Sequence, residues 1–426
     1  MSTHGEISPR LARAIIQRMG ETGQPPERGA LAANVGTQPM LDILREEYLV
    51  PMRETGRNSS FKLVQAPFGG GKSHFLHCLR EVAWKDGFAT SLVGISPEAC
   101  PFDDTVAIYR EVVRNIELPP EGPEEDPHPG LDTVLRFVIE DRVEKHGVGV
   151  VRAWLRDEFG RARIDSATVR KAAEKFMQAV LDRDDEVGEL MGSFLLGEDV
   201  PLGELTPHRI REVLDRKQAF RFLRSIAQML RVLDVPGVVL LFDEMDRVMS
   251  LSSKRKRAIG DNLRQMIDHC GQSSLPSVLW VYAVPPEFMT TVVPEYPALE
   301  QRLKGAATFS TTSPLAPIID LDHMPIGTVE LFQKIGLRLR ELYELAHDFR
   351  FDQAIQGENV SRLARDLGES QLESGARRSY VKATLQMLVA QHRDSQRVLT
   401  DTEIRALVSR SAVLEVGDMD GEEEFF

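Results

Sequence analysis

Cysteine is nearly missing. Cys78, Cys100 and Cys270 are the only three in 426 residues, and they stand far apart with no CxxC pair. Three thiols cannot supply a four-ligand zinc site, so buried or incidental thiols in a reducing compartment are expected. No run approaches the ~18 consecutive apolar residues of a membrane span, and the start, MSTHGEISPR, has no apolar signal core. A soluble, cytoplasmic protein without membrane contact is the expectation. An excess of basic charge is missing too. Lys and Arg number 52 against 65 Asp and Glu, a net charge of −13, which excludes the overall basic field of a protein that coats nucleic acid. The ten histidines form no HxxxH pair or carboxylate-supported cluster, and no Ser–His–Asp arrangement follows from the spacing. The remainder, 42% hydrophobic and 27% charged, is ordinary for a globular protein and long enough for two or three units with a real core.

What is present in strength is the stretch Phe61–Phe75, FKLVQAPFGGGKSHF. Four residues of strand character, Phe61 to Val64, run into a glycine cluster. Lys72 and Ser73 then open a helix whose apolar positions are Phe75, Leu76, Leu79, Val82 and Ala83. Strand, loop and helix N-terminus in this order make a phosphate cradle. Gly69, Gly70 and Gly71 let successive N–H groups turn inward, Lys72 supplies a charge for the β- and γ-phosphates, and Ser73 a hydroxyl for Mg²⁺. Nucleotide contact is assigned to the whole loop: Pro67, Phe68, Gly69, Gly70, Gly71, Lys72, Ser73 and His74. The strict pattern begins with Gly, where this chain has Ala66.

Before the loop, Ile7–Gly20 reads as an amphipathic helix, and a Val35-Gly36-Thr37 turn leads into a second one. That turn is either a packing element or a neighbour of the adenine. After the loop, Phe88–Ser96 reads as a strand and Phe102–Glu117 as a helix, followed by the Pro- and acid-rich loop Leu118–Gly130. Nearly everything from Leu131 to Asp234 has helical periodicity, the last helix spanning Arg209–Leu233. Then Gly237–Phe242, GVVLLF, is a continuous apolar run, as in a strand buried on both faces. A further strand is expected at Val278–Val284, and helices at Thr328–Ala346, Glu358–Leu372, Arg377–Gln391 and Asp401–Ser411. An acidic tail, 417–426, is expected to be disordered.

The buried run ends in Asp243-Glu244, at the carboxyl end of a strand, where open α/β sheets bind their ligands. Asp243 is assigned to Mg²⁺, and Glu244 to polarising the attacking water. No NKxD motif is visible, which favours ATP over GTP. Lys254-Arg255-Lys256-Arg257 is a local candidate for contact with double-stranded DNA, with a solvated helix face as the alternative.

The order GGGKS, VVLLFDE, a further apolar strand and a C-terminal helical region resembles the AAA+ and STAND-type ATPases. More narrowly, the Ile-Ser-Pro-Arg start, the Val-Gly turn and the AP-F-GGGKSHFL loop resemble the BREX phage-defence ATP-binding family, BrxD-like members in particular. The resemblance implies a P-loop NTPase three-layer α/β core with a parallel sheet (61–320), a helical insertion at about 131–234, N-terminal helices (1–60) and a C-terminal helical lid (321–416). It implies ATP and Mg²⁺ as cofactors and ATPase activity. It places an inter-subunit arginine finger at Arg302, in LEQRL, and a sensor arginine at Arg377 or Arg378, in Ser374-Gly375-Ala376-Arg377-Arg378. The finger implies a homo-oligomer. Tyr282 stands where the family has Asn, Thr or Ser, and no sensor role is given to it. The implied setting is bacterial anti-phage defence with other defence proteins, acting on DNA or on partner assembly. A slow nucleotide-gated scaffold without DNA is the alternative, and a small-molecule kinase is less consistent with so long a helical insertion.

Overall fold

A computed structural model describes residues 7–56, 58–96, 100–122, 125, 127–271, 275–303, 307–370 and 375–410. The acidic tail, Ser374 and the ends of the expected helices at Leu372 and Ser411 lie outside the described residues. The chain forms two compact units, one from Met1–Asp42, Val64–Glu81 and Ile319–Phe426, the other from Ile43–Leu63 and Val82–Ile318.

The second unit holds the sheet. Its strands are β1 (Ser60–Gln65, of which Ser60–Leu63 belongs to this unit), β2 (Ala89–Gly94), β3 (Ile116–Glu117), β4 (Val238–Asp243), β5 (Val278–Val284) and β6 (beginning at Ile318), in the order β3-β2-β4-β5-β1-β6. β2, β4 and β5 run parallel, with Ala89 opposite Val238 and Val238 opposite Val278. The expected α/β fold with a largely parallel sheet is therefore present. Every residue of β5 and all of β4 up to Asp243 are buried, as a sheet covered on both faces requires. The run GVVLLF is legible for that reason.

Several boundaries differ from expectation: the helix expected from Glu358 begins at Gln353, and two others have a visible backbone cause. The helix placed at Phe102–Glu117 spans Thr105–Arg114, with Asp104 accepting the Val106 N–H at its start. Ile116–Glu117 instead forms β3, antiparallel to β2. The helix placed at Arg209–Leu233 begins at Ala219. Arg209 takes a left-handed backbone, and the Asp215 carboxylate accepts the N–H groups of Lys217 and Gln218, so the helical turn starts only there.

The helices from Leu131 to Val232 do not form a core of their own. One hydrophobic cluster contains Val93 and Phe242 of the sheet together with Phe159, Phe176, Phe194 and Phe222. Tyr109 joins the two sets, edge-on to Phe222 and donating to the Leu195 carbonyl at 2.8 Å.

A helical segment before β1 includes a π-turn, Arg45–Leu49, ahead of Pro51, which lacks an N–H and crowds the preceding carbonyls. It carries Arg45 and Arg53 onto Asp86, whose carboxylate is buried. It also sets the Tyr48 hydroxyl 2.6 Å from the ammonium of Lys62, which donates as well to the Ala316 carbonyl at 2.8 Å. Lys62 is 1% exposed. Burial alone lowers its pKa from 10.5 to about 7.

The first unit is helical and built from both ends of the sequence. Ser8 caps the helix Pro9–Thr22, which presents Ala12, Ile15, Ile16 and Met19 to Phe332, Leu339, Tyr343 and Tyr380 of the helices Thr328–His347 and Ala376–Arg393. Gln353–Ser370 and a helix across 401–410 complete the bundle. The helix beginning at Lys72 holds the segment after Thr22: the Glu81 carboxylate accepts the N–H groups of Ala30 and Leu31 at 2.8 and 3.1 Å, and Arg80 donates to the Glu27 carbonyl.

Candidate nucleotide-binding site

In the first unit, Ala66–Gly71 turns from strand to helix. Gly69 and Gly71 have φ of +70° and +93°, a backbone that side chains resist. A Cβ on Gly70 would stand 2.8 Å from the Ala66 methyl and 2.9 Å from the Pro67 carbonyl. Ala66 is fully buried beneath the loop, so the loop accommodates a methyl at this position by keeping position 70 bare.

Lys72, at the first position of the helix, folds back across the loop and donates to the carbonyls of Ala66 at 2.9 Å and Pro67 at 3.2 Å. Ser73 stands half-buried beside it, and Phe68 is exposed. His74 points along the helix to the Cys78 sulfur at 3.5 Å. Burial, and then the Arg377 charge, push its imidazole down to about 4, so it is neutral at pH 7 and cannot serve as a cation for phosphate. His77 is pushed to about 3 by burial, Arg80 and its other neighbours.

The helix Ala376–Arg393 reaches the loop through its first turn. The Gly375 N–H donates to the Phe68 carbonyl at 3.0 Å. Arg377 donates to the Gly70 carbonyl and, at 2.7 Å, to that of Leu321. A Cβ on Gly69 would lie 2.6 Å from the Gly375 Cα, so two glycine backbones meet there. Burial lowers the Arg377 pKa from its usual range, with Asp322 opposing. Arg378, one residue on, goes elsewhere: it donates twice to the Thr22 carbonyl, at 3.0 and 2.7 Å. Successive helical side chains point about 100° apart, so only one of the adjacent arginines faces the loop. The Val35–Thr37 turn lies within the same unit, where a Cβ on Gly36 would be 3.0 Å from Leu331.

In the second unit, Asp243 ends β4 opposite Gly94. Its carboxylate accepts the Glu244 N–H at 2.9 Å. Glu244 has φ +62°, uncommon for a residue with a side chain. Its carboxylate pairs with Arg247 at 3.2 Å, both half-exposed. Sequence reading passed over Arg247, though an acid and a base three apart on a turn is a legible signal. Tyr282 is a core residue: it is 1% exposed, stacks on Phe242 and is directed at the Met266 sulfur.

Two of the other candidate cations are engaged inside the chain. Arg302 binds Asp268 at 2.5 Å and the Ala298 carbonyl at 2.8 Å. Within the basic run, Arg255 makes a two-pronged pair with Asp103, at 3.0 and 2.8 Å, while Lys254 and Arg257 are exposed.

Among the described residues no three His, Cys, Asp or Glu side chains gather as a metal cage. A magnesium ion carried on a nucleotide needs no such cage, because Mg²⁺ keeps water and phosphate ligands and takes one or two protein oxygens. The hydroxyl of Ser73 and the carboxylate of Asp243 are oxygen donors of that kind. Among the described residues no helix is long and apolar enough to cross a membrane. No curated protein and no solved structure matches the chain. The family model described as BREX system ATP-binding protein BrxC/D matches residues 7–152 and 163–410, and the chain belongs to that family.

Proposed function

We propose that this ATP-binding protein hydrolyses ATP with Mg²⁺ and couples the turnover to action on DNA or to assembly of partner proteins in phage defence. The observation that supports this best is the glycine loop itself: a left-handed, side-chain-free turn between β1 and a helix that opens with Lys72, with Arg377 brought onto it. The loop amides and Lys72 bind the phosphates. Ser73 and Asp243 would hold Mg²⁺, which when bound neutralises charge on the phosphate oxygens. Glu244 orients and polarises the attacking water. Arg377 exchanges a loop carbonyl for phosphate oxygens when the site fills. Arg378 would assist through the lid, and His74 as a neutral neighbour of the Arg377 charge. Arg302 completes a neighbouring site in a homo-oligomer, after leaving Asp268. Lys254–Arg257 is the proposed DNA contact, and the cytoplasm the proposed compartment.

The ion pairs at Arg302 and Arg255 favour a second reading, in which the chain is a slow nucleotide-gated scaffold that binds proteins without DNA. Steady-state ATP hydrolysis with and without double-stranded DNA, with Glu244→Gln as control, separates the two. Stimulation by DNA that vanishes in the variant supports the DNA-coupled ATPase. Slow turnover indifferent to DNA supports the scaffold. Equal rates in wild type and variant would sink the role given to Glu244.

A further inference from the structure

The geometry points to Arg247 as the residue that positions the Glu244 carboxylate, an inference that rests on the proposed role of Glu244 in hydrolysis. Three contacts around β4 carry it. The Asp243 carboxylate takes the Glu244 N–H, so the chain turns sharply at the strand end and Glu244 is forced into a left-handed backbone. This conformation aims the side chain back over the neighbouring strand: Glu244 Oε2 would lie 3.8 Å from a Cβ on Gly94, the last residue of β2. The same Oε2 pairs with Arg247 Nη2 at 3.2 Å. The short 3₁₀ turn Met245–Ser250 returns Arg247 to that place, its N–H donating to the Glu244 carbonyl.

A strained backbone at a strand end fixes where a Cβ points, but a glutamate has three more torsions before its carboxylate. The guanidinium removes that freedom at the far end. Acting through Glu244, Arg247 is a positioning residue. A half-exposed pair is weak, so its loss changes how often the carboxylate is in place and does not abolish the reaction.

The test is a mutant cycle read in steady-state ATP hydrolysis on the full chain. Arg247→Ala should lower kcat about two- to fivefold with KM for ATP unchanged. Arg247→Lys should restore much of the loss, since a shorter cation still reaches across one turn. In a Glu244→Gln background, Arg247→Ala should have no further effect, because the group it positions is gone. Equal losses in both backgrounds would mean a general structural role and overturn the inference, as would an Arg247→Ala rate at or above wild type. If those arms fail while Glu244→Gln still loses turnover, only Arg247's role falls. If Glu244→Gln runs at the wild-type rate, the reading of Glu244 falls and takes this inference with it.

Discussion

Lys62 gives the sharpest test of the packing. Among the described residues no carboxylate stands at its ammonium, which is held by a phenol and a carbonyl and set 4.2 Å over the Tyr48 ring. Burial brings its pKa from 10.5 to about 7. Between those values the unfolded chain holds a proton that the folded chain has shed, so stability rises with pH across that window. The destabilisation is full below pH 7 and gone above 10.5. Each pH unit of full difference is worth about 1.4 kcal/mol. At pH 7 the folded group is half protonated, so the gain from pH 7 to 9 is about 2 kcal/mol. Denaturant unfolding of wild type and Lys62→Met, at pH 7, 8 and 9, reads it directly. The variant removes the charge and keeps the volume, so the wild-type curve should climb about 2 kcal/mol relative to it. Tyr48, pushed up to about 12 by burial first, and the thiols Cys100 and Cys270, also pushed to about 12 by burial first, act with the opposite sign at higher pH. Both proteins share the thiols, so subtraction cancels them. A wild-type-minus-variant difference that stays flat from pH 7 to 9 would refute the claim that Lys62 is neutralised by its surroundings.

Gly69→Ala should weaken ATP binding by at least tenfold in a fluorescent-nucleotide titration, because its methyl would meet the Gly375 Cα at 2.6 Å in a left-handed backbone; unchanged affinity would mean that the two backbones part easily. Glu244→Gly should abolish turnover yet unfold at higher denaturant, since relief of a left-handed backbone is worth about 1 kcal/mol. A destabilised Glu244→Gly would show that no strain is stored there. Asp268→Asn loosens the partner of Arg302 at a cost below about 1 kcal/mol. If Arg302 serves a neighbouring subunit, hydrolysis per protomer should rise more steeply with protein concentration in that variant, and identical concentration curves would remove Arg302 from the site.

Much of the fold is legible because its signals are local. GVVLLF can only be a strand covered on both faces, and GGGKS announces its loop through the residues that the loop requires. β3 is not legible, since two residues give no period. Its identity comes from pairing with β2 and from the Gly130 N–H that donates to Ile116. The late start of the helix at Ala219 is hidden because Ile210, Val213 and Leu214 have the three- and four-residue spacing of a helix face just before Asp215, whose carboxylate captures the next backbone N–H groups. In the loop proposed to bind nucleotide, the strand–glycine–helix order is legible, while the partners of Arg377 and Arg378 are not. Their division between Gly70 and Thr22 depends on contacts across more than 300 residues, for which no local rule exists.

That separation has a consequence for how the protein is made. The Arg377 bond to Gly70 spans 307 residues, and the helix Pro9–Thr22 packs on segments made more than 300 residues after it. At about 5–20 residues per second, the glycine loop waits roughly 15–60 seconds for the helix that fastens it. For most of that interval Ile15, Ile16 and Met19 have neither Phe332 nor Tyr380 to cover them. The sheet unit can assemble meanwhile, so the glycine loop gains this fastening long after it is made, and a product truncated before residue 375 would never acquire it.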